Sequence, residues 1–65
     1  FIKIQLEADQ IEKIELYSLT GKLIFKTDLN SNIFILDTAN YPSGTYLLKV
    51  FSQNHGCINT KFIKE

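Results

Sequence analysis

Arginine is absent from this 65-residue chain, so its seven lysines carry all of the positive charge and balance seven acidic residues. A neutral, arginine-free domain lacks the clustered charge and guanidinium forks on which nucleic-acid binding rests. It also lacks the polybasic segment that holds a protein on an anionic membrane. No apolar run approaches the ~20 residues of a membrane span. The single cysteine cannot make an internal disulfide and says little about redox compartment. A chain this short buries only about 60% of the surface it exposes when unfolded, so support from a neighbouring domain or partner chain is expected. No secretory signal opens the sequence. Phe1 already stands in a strand pattern, and the chain reads as a single domain, residues 1–65, cut from something longer.

What is present is apolar and well punctuated. The composition is 45% hydrophobic with eight aromatics, ample for a core and unlike a disordered segment. The most informative stretch is Asn40–Val50. Pro42 fixes its own φ, and Gly44 can take a positive φ, so Tyr41-Pro42-Ser43-Gly44 is a turn with a mechanism behind it. The residues after it alternate, Tyr46, Leu48 and Val50 against Thr45, Leu47 and Lys49, which predicts a strand with one apolar face from Thr45 to about Phe51.

Similar patterns flank it. Ile2, Ile4 and Leu6 share one face of a first strand, followed by the polar connection Glu7–Gln10. Residues 11–26 predict a β-hairpin turning at Ser18-Leu19-Thr20-Gly21, with Gly21 left-handed and Leu23 and Phe25 on the core face. Helical spacing of Leu6, Ile11, Ile14 and Tyr17 gives residues 5–17 a competing, lower-ranked helical reading. Thr27–Asn32 has the composition of a loop, and Ile33–Leu36 fits a short strand buried on both sides. Asp37 is placed to cap a turn. Ser52–Gly56 is a reversal with Asn54 and Gly56 suited to positive φ, and Cys57–Lys64 is the last strand, pairing antiparallel with its predecessor. Five or six strands at roughly ten-residue intervals indicate an all-β fold, a small antiparallel sandwich of immunoglobulin-like type with about 6–7 strands and its first strand missing.

No catalytic constellation can be assembled from the residues. Glu7/Asp9 and Glu12/Glu15 occupy polar, exposed positions, whereas an acid/base pair needs one carboxyl in an apolar pocket. His55 and Cys57 fall short of the four ligands of a structural zinc, and their placement on a turn and a strand start does not orient one towards the other. They read as a loop histidine beside a small, semi-buried cysteine. Gly21, Gly44 and Gly56 are isolated turn glycines rather than a phosphate cradle. Tyr17, Phe25, Phe34, Tyr46 and Phe62 fall on core faces, and Tyr41 and Phe51 alone do not define a stacking platform. Lys49, Lys61 and Lys64 are expected on the outer face of the last two strands, where lysine also discourages edge aggregation. The domain is read as a non-enzyme without cofactor, metal or small-molecule substrate.

Three segments resemble a known family. Ile14–Ile24, Leu36–Val50 and Thr60–Lys64 are similar, in order and spacing, to the hairpin, the Pro-x-Gly-x-Tyr segment and the closing strand of the C-terminal sorting domains of the type IX (Por) secretion system of Bacteroidetes. Tyr41 stands where Leu usually precedes the proline, Phe62 where lysine or a small apolar residue is common, and the Asn-Pro motif before the family's first strand is not present. The resemblance implies a seven-stranded immunoglobulin-like sandwich that acts as an address. It would direct a cargo upstream in the same chain through the periplasm and across the outer membrane to the cell surface or medium. Its implied partners are the outer-membrane type IX translocon and a surface sortase. Gly44, Tyr46, Lys49, Lys61, Phe62, Ile63 and Lys64 are the implied recognition positions, with Gly21, Pro42, Gly44 and Gly56 shaping turns. The last strand would present the signal, and its open edge allows pairing with a partner or a second copy. The alternative function is an adhesive or carbohydrate-binding accessory domain of a cell-surface protein, which shares this architecture.

Overall fold

A computed structural model describes all residues, 1–65, as six strands: β1 Ile2–Gln5, β2 Ile11–Ser18, β3 Leu23–Ser31, β4 Ile33–Leu36, β5 Gly44–Ser52 and β6 Gly56–Lys64. There is no helix. All pairings are antiparallel. The larger sheet has the order β3-β2-β5-β6, and β1 and β4 form a second, two-stranded sheet. The smaller sheet lies against one face of the larger, with Ile4, Leu6 and Phe34 packed on the core.

Period-two patterning explains most of this. Tyr46, Leu48 and Val50 of β5 and Ile14 and Leu16 of β2 point inward and are buried. Ile11 is also fully buried, although its spacing to Ile14 is odd. The cause is a register shift between Ile11 and Lys13: against β3 the extra residue lies on β3, between Asp28 and Ser31, and against β5 it is Glu12. Such a bulge flips the facing of everything before it. It therefore accounts for the three-residue apolar spacing that resembled a helix. Ile11, Ile14 and Leu16 form the centre of the core, and burying each contributes roughly 1.5–3 kcal/mol.

The hairpin turn follows expectation. The N–H of Gly21 donates to the carbonyl of Ser18 (2.9 Å), that of Lys22 to Ser18 Oγ (3.2 Å), and Gly21 has φ 94°. Asp37 Oδ1 accepts from the Ala39 N–H at 3.0 Å, closing the expected polar turn.

Several expectations fail, each for a physical reason. Thr27–Ser31 is not loop but the second half of β3, since the long β2 carries Thr27, Asp28 and Ser31 as ladder partners. Leu29 turns inward, while Asp28 and Asn30 are exposed. Leu23 and Ile24 are both exposed, leaving Phe25 to fill the core on that strand. β4 is buried on one side only: Leu36 and Phe34 face the core, whereas Ile33 and Ile35 lie on an outer face that nothing covers. Tyr17 lies on the outer face of the larger sheet rather than in the core. Its hydroxyl donates to Glu15 Oε1 (2.8 Å), and the Lys49 ammonium sits 5.3 Å from its ring centre.

Candidate recognition site

The three segments that stand out in the sequence meet at one end of the larger sheet. Register places Ser18 opposite Tyr46 on one side of β5, and Phe62 opposite Tyr46 on the other. Gly44 is opposite Lys64. Tyr46 is the hub. It is buried, its ring stacks on Phe62 with centroids 5.2 Å apart and approaches Tyr41 at 5.9 Å, and its hydroxyl donates to the Pro42 carbonyl. That hydrogen bond holds the turn before the strand against the strand itself. Burial, reinforced by Asp37 and Tyr46, raises the Tyr41 phenol above its ordinary pKa.

Gly44 has φ 151°, which a side chain would strain although a Cβ would meet nothing within 4 Å. Backbone conformation rather than crowding therefore requires glycine here. Beside this hub, Ser18, Lys22, Leu23, Ile24, Tyr41 and Pro42 line an open groove of about 400 Å³. Leu19 stands exposed on the adjacent turn.

The expected lysine cluster divides between two faces. Lys49 and Lys61 project from the outer face of the larger sheet, alternating with the inward residues of β5 and β6. Lys64 has the facing of Phe62 and is half-buried, so it does not join them. Ile63 points outward and is 71% exposed. Lys49 is engaged over Tyr17, in a network that includes Glu15 and Lys13 (3.6 Å apart). The Tyr17 hydrogen bond first, and then the Lys13 and Lys49 charges, hold the Glu15 carboxyl below its ordinary pKa. The Glu15 bond correspondingly raises the Tyr17 phenol.

A second polar cluster, at the opposite end of the sheet, is the feature that sequence reasoning missed. Asp9, expected on an exposed connection, is buried, with its side chain 1% accessible. Ala8 before it adopts φ 56°, a left-handed conformation uncommon for a residue with a Cβ. Asp9 Oδ1 accepts from the N–H groups of Gln10 (2.8 Å) and Asn54 (3.2 Å), and Oδ2 pairs with His55 Nδ1. The Gln53 N–H adds a bond to the Gln10 carbonyl (2.9 Å). The His55 hydrogen bond is the main cause of an Asp9 pKa below 3.8. Together these bonds clasp the β1–β2 connection to the β5–β6 turn.

Asp9, His55 and Ser52 are the residue types of a hydrolase triad, but the geometry is that of a loop. His55 meets Ser52 Oγ through its backbone N–H (2.9 Å), and Ser52 Oγ donates to the Gly56 carbonyl. In a triad the imidazole itself would hold the serine hydroxyl. Cys57 is exposed rather than semi-buried, and its thiol donates to Asn59 Oδ1 (3.5 Å). The partners of Asp9 lie 45 and 46 residues away, so no local motif marks the clasp.

Over its whole length, residues 1–65, the chain matches the family described as "Secretion system C-terminal sorting domain". No curated protein and no solved structure matches it.

Proposed function

Because the chain belongs to the secretion-system C-terminal sorting domain family, we propose that it is the address of an exported protein. In this reading it carries a cargo in the same chain across the outer membrane through the type IX machinery, and it catalyses nothing itself. Membership implies a sorting role in type IX secretion, a cargo in the same chain, and export to the cell surface or medium. The finer assignment concerns which part of the domain is read. The observation that carries it is the convergence of Ser18, Gly44, Tyr46, Phe62 and Lys64, drawn from three separate segments, at one end of the sheet.

In this proposal Tyr46, Pro42 and Gly44 shape the surface and the end of β6 presents it. Tyr46 positions Phe62 by stacking, which fixes the register of the last residues of β6. That register sends Lys61 and Ile63 outward as one exposed cation and one exposed apolar side chain, with Lys64 on the other face. Lys49 is held by Tyr17 and serves mainly to order the outer face. The free edge of β6 offers main-chain groups to a partner strand. The translocon reads this end, and a surface sortase acts on the chain after passage.

The test is a fusion of residues 1–65 to a periplasm-targeted reporter, expressed in a host with a type IX system and in a strain lacking the machinery. Surface or medium signal that disappears without the machinery is the expected result. Periplasmic retention of a folded fusion in both strains would refute the sorting role.

A further inference from the structure

The outer face of the larger sheet is filled unevenly. A strand added to the smaller sheet would leave this face open, because that sheet packs on the opposite side. Over β2 and β5 the face is covered by its own side chains. The Lys13 ammonium lies 4.5 Å from the Phe51 ring centre and the Lys49 ammonium 5.3 Å from that of Tyr17, so a lysine covers each ring. Tyr17 belongs to β2, on the far side of β5 from β6, so Lys49 leans away from β6 to reach it. The partner of Lys49 on β6 is the short Asn59. Together these leave a hollow of about 480 Å³ over the β5–β6 ladder.

Leu47, Lys49, Asn59 and Lys61 line the hollow, above the main chain of Leu48 and Thr60. The polar side-chain groups left free there all donate. Asn59 Oδ1 accepts from the Cys57 thiol, which leaves its NH2 without a partner. Lys61 is exposed and makes no ion pair. No outward residue of β5 or β6 is a carboxylate, and Glu15, across β5, is held by Tyr17 and Lys13. Two ammonium groups and an amide NH2 match a group that only accepts, which is an ionised carboxylate. Beside them Leu47 is half-buried, and Ile63, outward on the same strand as Lys61, is 71% exposed. With both rings covered, the apolar surface that remains is aliphatic, which suits the side chains of a partner protein.

We propose that the hollow on the outer face of β5 and β6 is a docking site for an acidic side chain on an extended segment of a partner protein. The carboxylate enters between Lys49 and Lys61 and accepts from the Asn59 NH2. Residues two before and two after it lie on the same side of the segment and rest on Leu47 and Ile63. The inference rests on the sorting reading only for the identity of the partner. Binding is measured on the purified protein and export in cells, so either can fail alone.

The probe is acetyl-Val-Thr-Glu-Thr-Val-amide, with the same peptide carrying glutamine for glutamate as its control. On addition of the acidic peptide the NMR signals of Leu47, Asn59 and Lys61 shift, and binding weakens as salt rises. The glutamine peptide binds at least tenfold more weakly, as does the acidic peptide to Lys61→Gln. Lys26→Gln removes the same charge from the same face, on β3, and leaves binding unchanged. Both lysines are exposed, and the melting transition of each variant is recorded. Absence of shifts at Leu47, Asn59 and Lys61, or equal binding of both peptides, overturns the proposal. So does an equal loss with Lys26→Gln, which reduces the site to diffuse charge. Tighter binding of galacturonate oligomers than of the peptide overturns it in favour of an acidic glycan. Shifts that grow with protein concentration alone overturn it in favour of a second copy. Peptide binding lost in the full-length exported protein overturns it in favour of a segment of the same chain.

Discussion

The two ends of the larger sheet are fastened by different chemistry. At one end Tyr46 joins three segments through ring stacking and one hydroxyl-to-carbonyl bond. At the other, Asp9 and His55 join two connections through a buried carboxylate. The aromatic hub extends the core into the turn, so it depends on area and tolerates changes of pH. The carboxylate clasp has little apolar area and depends on charge. In a 65-residue domain neither end has a second layer behind it, and each fastening should have a distinct signature when broken.

The largest expected effect is at the hub. Tyr46→Ala removes a buried aromatic side chain, which costs about 3–5 kcal/mol and is enough to unfold a domain of this size in thermal melting. Tyr46→Phe keeps the stacking and loses only the bond to Pro42. It should cost about 1 kcal/mol, or a fall in Tm of roughly 4–8 °C. A Tyr46→Phe loss as large as that of Tyr46→Ala would mean that the hydrogen bond, not the ring, holds this end.

Substitutions at the clasp come next. Asp9→Ala strands the N–H groups of Gln10 and Asn54 together with His55, and should lower Tm by less than Tyr46→Ala but by more than His55→Ala. His55 is 67% exposed in its side chain, and its loss leaves Asp9 with two backbone donors. The pH dependence follows from the lowered Asp9 pKa. Unfolded Asp9 titrates near 3.8 and the folded group lower, so the clasp's contribution is present in full above about pH 4 and is lost as pH falls through the folded value. The difference in Tm between wild type and Asp9→Asn should therefore shrink below pH 3.8. Using that difference cancels the contribution of Glu15, whose pKa is also lowered. A difference unchanged down to acid pH would contradict a charged clasp.

The smallest effect is expected at Ala8. Its φ of 56° suits glycine, so Ala8→Gly should be neutral or stabilising, within about 1 kcal/mol. A clear loss of stability would show that the Ala8 methyl packs usefully and that the left-handed turn carries little strain.

The same contrast explains what could be read from the sequence. The hub end was legible because its parts are local: a proline-glycine turn, an alternating strand and a glycine hairpin each announce themselves within about ten residues. Their meeting point follows once the strands are paired in order. The clasp was not legible, because a buried aspartate on a polar connection looks like any solvated one until its distant partners are in place. Composition misassigned Thr27–Ser31 for a related reason, since Asp28 and Asn30 are turn-prone residues that occupy the exposed face of a strand. The Glu12 bulge gave Ile11–Ile14 a helix-like spacing by breaking the period of two, although residues 11–26 still read first as a hairpin. Lys64 was placed on the wrong face because the expected cluster ignored its even spacing from Phe62.

The central claim is that the hub end, and not the clasp end, carries the address. Export of the reporter fusion should be compared for Lys61→Ala/Lys64→Ala and for His55→Ala, with the melting transition of each variant recorded. The account predicts that the lysine pair stays folded and loses type IX-dependent export, while His55→Ala is exported like wild type. Undiminished export of the lysine pair, with loss of export in a folded His55→Ala, would contradict it.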